Sequence, residues 1–446
     1  MSLLKRLEKQ KSTVQTENEL KQIDSPKVQS VDVYREIKAK AHHQVIEVLN
    51  KRNLEENHEE SVKQVIEETL ELVAIGYNRT ERSKIAAELY NDVMGYGPLE
   101  NLLNDPSVTE IMVNGPFNIY IEKSGKIELS PVTFRDNEHV LNIIDRIVSS
   151  IGRHIDEASP MVDARLQDGS RVNVIIPPLS LVGPVITIRK FSKKPITAQE
   201  LLKFGSISPK MLAFLEACVK GKLNIIVAGG TGSGKTTLLN VLSAFIPEDE
   251  RIVTIEDAAE LQLRQKHVIT LESRPASLEG KGQISIRDLV RNSLRMRPDR
   301  IVVGEVRSGE TLDMLQAMNT GHDGSLTTTH ANTPRDTISR IETMVLMSGM
   351  DLPIKAIREQ VCSAIDIIVQ QSRMRDGSRK ITNITEVLGM EGDIITLQDI
   401  FYCEREGLVE GTDKLKIRFR SSGIRPFCVE KLKDNGIYVS DDWFRD

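Results

Sequence analysis

Aromatic residues make up only 4% of this 446-residue chain, which has one tryptophan and four cysteines. Sparse aromatics argue against a groove that stacks successive bases of a single strand. There is no cationic excess either: 59 Lys and Arg face 64 Asp and Glu, for a net charge of −5. Charge alone therefore gives no footprint of a nucleic-acid binder. Cys218, Cys362, Cys403 and Cys428 are widely spaced, with no C-x-x-C pair for zinc or redox work, and read as reduced structural thiols. No apolar run reaches the roughly 18 residues of a membrane span. Met1-Ser2-Leu3-Leu4-Lys5-Arg6 leads into charged residues with no apolar signal core. A cytoplasmic protein is expected.

What the chain does contain is Gly229-Gly230-Thr231-Gly232-Ser233-Gly234-Lys235-Thr236-Thr237, which satisfies G-x-x-x-x-G-K-[ST] at every required position. The short β-branched run Leu223–Ala228 before it reads as a buried strand, and Leu238, Leu239, Val241, Leu242 and Phe245 follow at helical spacing. Strand, glycine loop and helix together bind phosphate: backbone N–H groups close on the oxygens and the helix N-terminus adds partial positive charge. Lys235 is expected to bridge the β- and γ-phosphates and Thr236 to offer its hydroxyl to Mg²⁺. A glycine-rich turn that binds nothing is the bland alternative, and pattern and context together oppose it.

The length implies two or three domains. Residues 1–30 are dense in Lys, Glu, Gln and Ser without an aromatic, so a disordered arm is expected. Over 31–95 three amphipathic patterns follow: Tyr34, Ile37, Ala41, Val45, Val48 and Leu49; Val62, Val65, Ile66, Leu70 and Val73; Ile85, Leu89 and Val93. They predict a small helical bundle. Residues 96–191 read as an α+β domain, with strands near 110–114 and 119–121 and a one-faced helix from Val140 to Ile151. The Asp168-Gly169 step signals a hairpin, flanked by Arg165 and Arg171, with Arg189 further on. A polar, proline-broken linker is expected over 192–205 and an α/β domain over 206–446. There, strands near 223–228, 251–256, 300–304 and 324–329 alternate with helices near 235–245, 284–296 and 309–319, which predicts a mostly parallel sheet. Met344, Met347 and Met350 read as core filling.

Nucleotides bind such sheets at the carboxyl ends of the strands. Three strands end in polar groups: Glu256-Asp257-Ala258-Ala259-Glu260 after the second, Glu305-Val306-Arg307 after the third, and His330 after the fourth, with His322 just before it. ATP hydrolysis needs such groups: an acid near Mg²⁺, a carboxylate for the water, and a polar sensor of the γ-phosphate. Singly each is weak evidence, since a strand-end Glu is more often a solvated cap.

These segments closely resemble a family. The glycine loop, Thr254-Ile255-Glu256-Asp257-Ala258-Ala259-Glu260-Leu261, Leu294–Asp299 running into Gly304-Glu305-Val306-Arg307, and Gly321-His322 through His330-Ala331-Asn332 resemble the Walker A, Asp-box, Walker B and His-box segments of type II and type IV secretion ATPases. Within that superfamily the chain is most similar to the CpaF/TadA branch, which powers Tad (Flp) pilus assembly; Gly95-Tyr96-Gly97-Pro98-Leu99 and Asp163–Asn173 resemble the same branch. The resemblance implies a RecA-like P-loop ATPase domain behind a PAS-like α+β domain. It implies ATP and Mg²⁺, with nucleotide held by Gly229, Gly230, Thr231, Gly232, Ser233, Gly234, Lys235, Thr236 and Thr237, and the metal by Thr236 and Glu305. Glu260 takes the role of the carboxylate that positions water, ahead of Glu256 and Asp257. His322 and His330 take those of the His-box pair, and Arg165, Arg171 and Arg189 those of N-domain arginines that reach the phosphates. A homohexamer is implied at the inner face of the cytoplasmic membrane. It would work on a polytopic platform protein, handle pilin indirectly and bind no nucleic acid. Alternatives are a DNA- or protein-translocating ATPase of the type IV branch, a small-molecule kinase, and a non-catalytic nucleotide switch.

Overall fold

The computed structural model describes residues 27–51, 59–123, 125–191, 195–274, 282–408 and 415–445. The arm expected over 1–30 lies outside them up to residue 26, and its last four residues open a helix, Lys27–Lys51. The chain divides into two compact units, Met1–Ser192 and Lys193–Asp446.

In the first unit the helices Lys27–Lys51, Glu59–Val73 and Arg79–Met94 bury one stripe each. Ala41, Val45, Ile66, Leu70, Ile85 and Leu89 meet in a single cluster, because residues three and four apart share a helix face. Asn78 opens the third helix by accepting the Glu81 N–H, while the Glu81 side chain returns to the Asn78 N–H. Six antiparallel strands follow: β1 (Val108–Asn114), β2 (Ile119–Lys123), β3 (Lys126–Leu129), β4 (Met161–Arg165), β5 (Arg171–Ile175) and β6 (Val185–Arg189). Their order is β3-β2-β1-β6-β5-β4. One face is covered by the helix Asn137–Ser149, whose Val140, Ile143, Ile144 and Ile147 pack on Ile111, Val113, Val172, Ile186 and Ile188. The β4–β5 hairpin turns at Asp168-Gly169, where Gly169 has φ +89° and Asp168 Oδ1 accepts the Ser170 N–H at 2.9 Å.

The second unit is built on β7 (Ile225–Gly229), β8 (Ile252–Glu256), β9 (Val268–Glu272), β10 (Arg300–Val303), β11 (Leu326–Thr329), β12 (Ile367–Arg373), β13 (Arg379–Glu391), β14 (Ile394–Leu408) and β15 (Leu415–Ser421). Among the described residues they form one sheet, ordered β15-β14-β13-β12-β7-β11-β10-β8-β9. From β12 to β9 neighbours run parallel; β13, β14 and β15 are added antiparallel. Ile225 and Val227 of β7 join the core on one face, Ile226 and Ala228 the core on the other. That two-sided burial is why this strand is a continuous apolar run without alternation.

Several expectations need revision. β9 is not foreshadowed by the strand–helix alternation, because among the described residues it is a partly exposed edge strand beside β8. The segment expected as linker includes the helix Ala198–Lys203, whose Leu201 is buried in the core of the second unit. Of the three methionines expected as core filling, only Met344 is buried. Met347 and Met350, at the C-terminal end of the helix Pro334–Leu346 and in the loop after it, are 58% and 48% exposed.

Candidate functional site

The phosphate loop connects β7 to the helix Lys235–Ser243. Gly229 is required by a close approach: a Cβ there would stand 2.3 Å from the Gln371 carbonyl oxygen and 2.5 Å from Ser233 Oγ. Gly234 is required by its backbone, at φ +96°. No side chain caps the helix that follows, so its N-terminal dipole faces the loop. Lys235 is only 7% exposed, although lysine is almost never buried without a partner. Its Nζ donates to the Gly230 carbonyl at 3.2 Å and lies 3.3 Å from His330 Nε2. Ser233 Oγ is buried with no hydrogen-bond partner among the described residues. Thr236 and Thr237 are half-buried in the first helical turn.

Parallel pairing of β7, β11, β10 and β8 brings their carboxyl ends to one edge. Beside Lys235, His330 Nε2 stands 2.9 Å from Glu305 Oε1. Glu305 Oε2 accepts Arg307 Nη2 at 2.8 Å, and the other arm of Arg307 reaches Asp257 Oδ2 at 3.4 Å. An unbroken polar chain thus runs Lys235–His330–Glu305–Arg307–Asp257. Burial pushes the Glu305 carboxyl up, but the Arg307 hydrogen bond and charge, with His330 and Lys235, outweigh it and hold it below its usual value. Burial and the neighbouring Lys235 ammonium hold His330 below its ordinary value against the opposing pull of Glu305. At neutral pH the imidazole is therefore uncharged and the carboxylate ionised.

The acids after β8 divide by environment. Glu256 is 3% exposed, and its Oε1 accepts the backbone N–H groups of Glu260 at 3.0 Å and Leu261 at 3.2 Å. It is a buried brace for the segment that carries Glu260. Asp257 is exposed and accepts Ser273 Oγ at 3.0 Å. Glu260 is half-buried beyond the brace.

His322 is not brought to this edge. It precedes β11, at the amino end of the strand, where its carbonyl accepts Ser325 Oγ at 2.8 Å and its buried Nδ1 has no hydrogen-bond partner among the described residues. Arg165, Arg171 and Arg189 belong to the first unit, and strand register makes them a row: Arg165 opposes Arg171, and Arg171 opposes Arg189. Glu110 continues the row on β1, 3.8 Å from Arg189 Nε.

Sequence reading missed four residues here: Gln371, whose carbonyl backs Gly229; Arg307, which joins Glu305 to Asp257; and Arg373 and Arg379 on the β12–β13 hairpin. Arg379 Nε donates to the Gly232 carbonyl at 3.0 Å. Only the alternation of Arg307 with Glu305 left a local signal; the other three come from two paired strands, β12 and β13, about 140 residues downstream of the loop.

The residues present suit Mg²⁺. Glu305 Oε1 is buried yet accepts no aligned hydrogen bond, so it retains acceptor capacity for a cation or its water. Among the described residues no cluster of three or more His, Cys, Asp or Glu could cage a metal.

Residues 92–404 match the family model described as type II/IV secretion system protein. A Mycobacterium tuberculosis protein provisionally named for conjugal transfer is 36% identical over 312 residues, covering 69% of this chain and 88% of that one. The type IV secretion system protein VirB11 of Brucella abortus is 32% identical over 318 residues, covering 65% and 87%. Among solved structures, the VirB11 ATPase of the Brucella suis type IV secretion system, in complex with sulphate, is 30% identical over 64% of this chain and 94% of that one, with a TM-score of 0.36.

Proposed function

Because the chain belongs to the type II/IV secretion system protein family, we propose that it is an Mg²⁺-dependent ATPase that powers a secretion or pilus-assembly machine. The observation that carries this reading is the contiguity of Lys235, His330 and Glu305 around a glycine loop that leads into an uncapped helix N-terminus.

In this proposal the loop from Gly229 to Thr237 holds the phosphates, and Lys235 leaves the Gly230 carbonyl to bridge the β- and γ-phosphates. Thr236 and Glu305 hold Mg²⁺, which when bound neutralises charge on the phosphate oxygens. Glu260 orients the attacking water and accepts its proton, kept in place by Glu256. His330, neutral at working pH, donates to a γ-phosphate oxygen and registers its loss. Arg165, Arg171 and Arg189 are assigned to the nucleotide phosphates and His322 to a neighbouring subunit. A cation supplied to phosphoryl transfer in this way is worth about 10³–10⁵ in rate. The experiment is phosphate release by the full chain with and without Mg²⁺. Lys235→Ala and Glu260→Gln are expected to abolish it, and normal turnover in either refutes the role assignments.

The finer proposal is a homohexamer of the CpaF/TadA type, with a PAS-like sheet domain, at the inner face of the cytoplasmic membrane. There it acts on a polytopic platform protein and drives Tad (Flp) pilus assembly. Gly95–Leu99 and the Asp163–Asn173 hairpin support that branch. The identity to relatives named for type IV secretion and conjugal transfer supports a second reading, a translocation ATPase of the type IV branch. Pull-down of the membrane partner separates them: a pilus platform protein supports the first, a conjugation or effector-export channel the second.

A further inference from the structure

We propose that Gln370 is a positioning residue for the group assigned to sense the γ-phosphate: it reaches across β7 and holds the chain immediately beyond His330. The inference rests on the ATPase reading and deepens it by naming what sets the geometry of that sensor.

His330 sits in a short connection. β11 ends at Thr329, and the next helix opens at Thr333, whose hydroxyl accepts the Asp336 N–H at 3.1 Å. Only His330, Ala331 and Asn332 lie between those anchors. Ladder pairing fixes the near side, because Thr329 is matched to Ala228 of β7. The far side is held from β12, which is not a neighbour of β11 in the sheet: Gln370 Nε2 donates to the Ala331 carbonyl at 3.0 Å.

Register explains the reach. Gln370 is matched to Ala228 from one side as Thr329 is from the other, so the three form a row across β12, β7 and β11. Side chains matched in this way project to the same face of the sheet. The middle member is an alanine, and its methyl leaves the glutamine amide a path over β7. The strand is also shaped at this point. Gln370 is matched to Asn383 of β13 but Gln371 to Ile381, which leaves Thr382 as an extra residue; its hydroxyl donates to the Gln370 carbonyl at 3.3 Å. Bulges of this kind re-aim side chains beside active sites.

Gln370 is 1% exposed, and its Oε1 has no hydrogen-bond partner among the described residues. A carbonyl only accepts, so the NH₂ end of the amide must be the one that faces Ala331. An apolar side chain of similar length would leave no buried oxygen unpaired. Packing alone therefore does not call for glutamine here, whereas the bridge to Ala331 does. Gln371, on the opposite face, abuts the phosphate loop instead: a Cβ on Gly234 would lie 3.3 Å from its Nε2. By fixing the Ala331 peptide, Gln370 limits where the His330 ring can stand, 2.9 Å from Glu305 Oε1 and 3.3 Å from Lys235 Nζ. Its loss should weaken discrimination of the γ-phosphate and leave binding of the diphosphate alone.

The test uses the full chain with Gln370→Met, which keeps the length and removes the donor, alone and combined with His330→Ala. Phosphate release gives kcat, and titration with ADP and with a non-hydrolysable ATP analogue gives two Kd values. In Gln370→Met, kcat is expected to fall about tenfold, short of the roughly 10²-fold attached to a displacement of about 1 Å. The preference for the triphosphate analogue over ADP should shrink by about tenfold, the worth of one hydrogen bond to a charged group, while the ADP Kd holds. The double variant should be no slower than His330→Ala alone, since Gln370 acts through that ring. Wild-type kcat in Gln370→Met overturns the inference, even where the melting temperature has dropped. So does an ADP Kd that rises as much as that of the analogue, or a further loss of kcat on the His330→Ala background. If the unmodified chain neither binds nor hydrolyses ATP, the ATPase reading fails instead.

Discussion

Replacing Glu256 with Gln separates a brace from a catalytic acid. The side chain is 3% exposed, and its Oε1 accepts two backbone N–H groups at 3.0 and 3.2 Å, those of Glu260 and Leu261. Hydrogen bonds to a charged acceptor are worth roughly 1 kcal/mol more than neutral ones, so two of them predict a loss of about 2 kcal/mol. For a unit of this size that is a fall of about 4–8 °C in Tm. The functional effect should be larger than the stability effect. The brace holds the peptide of Glu260, and a displacement of about 1 Å in a catalytic group costs about 10²-fold in rate. kcat is therefore expected to fall about 10²-fold, and ATP affinity by less than about threefold, because Glu256 lies behind the phosphate loop's partners and not among them. Glu260→Gln should show the opposite balance: a larger loss of kcat with an unchanged melt, since Glu260 is half-exposed. The double variant should be no slower than Glu260→Gln alone. Phosphate release at saturating ATP and thermal melting supply both readouts. Wild-type turnover in a Glu256→Gln protein whose Tm has dropped would falsify the bracing argument.

Gly304→Ala should push the same brace from the other side, because its Cβ would stand 2.8 Å from Glu256 Cγ; kcat should fall while ADP affinity holds. Glu250→Gln should cost about 3–5 kcal/mol in urea unfolding of the second unit. It removes the carboxylate from Arg300, which is 0% exposed and paired with Glu250, and leaves the buried guanidinium with neutral acceptors such as the carbonyls of Val219 and Gly324. A shift under 1 kcal/mol would refute that role. In the first unit, burial pushes His139 down to about 4, against the opposing pull of Asp92 and with help from Arg135, Lys38 and His42. The unfolded histidine titrates near 6.5, so between about pH 6.5 and 4 the unfolded state binds more protons. Stability is therefore full above that window and lost as pH falls through it, by roughly 2–3 kcal/mol after discounting for partial exposure. His139→Gln should flatten the pH dependence of the melt over that range.

The phosphate loop was legible because each of its demands is local. A tight φ-positive turn, an uncapped helix start and a buried parallel strand each leave a mark within a dozen consecutive residues. The helix Asn137–Ser149 and the Asp168-Gly169 hairpin were readable for the same reason, as period and turn chemistry are short-range. Glu305 and His330 were readable one step further out, since parallel strands deliver their carboxyl ends to a common edge.

Other features needed the folded chain. Glu256 and Glu260 are four residues apart in one acidic stretch, and only burial makes one a brace and leaves the other accessible. His322 and His330 look equivalent in sequence, yet a four-residue strand puts them at opposite ends of β11. The arginines at 165, 171 and 189 cluster around one hairpin in the sequence, but register alone makes them cross-strand neighbours. Arg379, opposite the end of β12, reaches the Gly232 carbonyl because β12 pairs with β7 across more than a hundred residues of intervening chain. The sequence by itself determined the phosphate-binding chemistry, because backbone conformation and helix dipoles are set by neighbouring residues. Which charged groups surround that phosphate was decided by strand order and register, which depend on contacts between residues far apart in the chain.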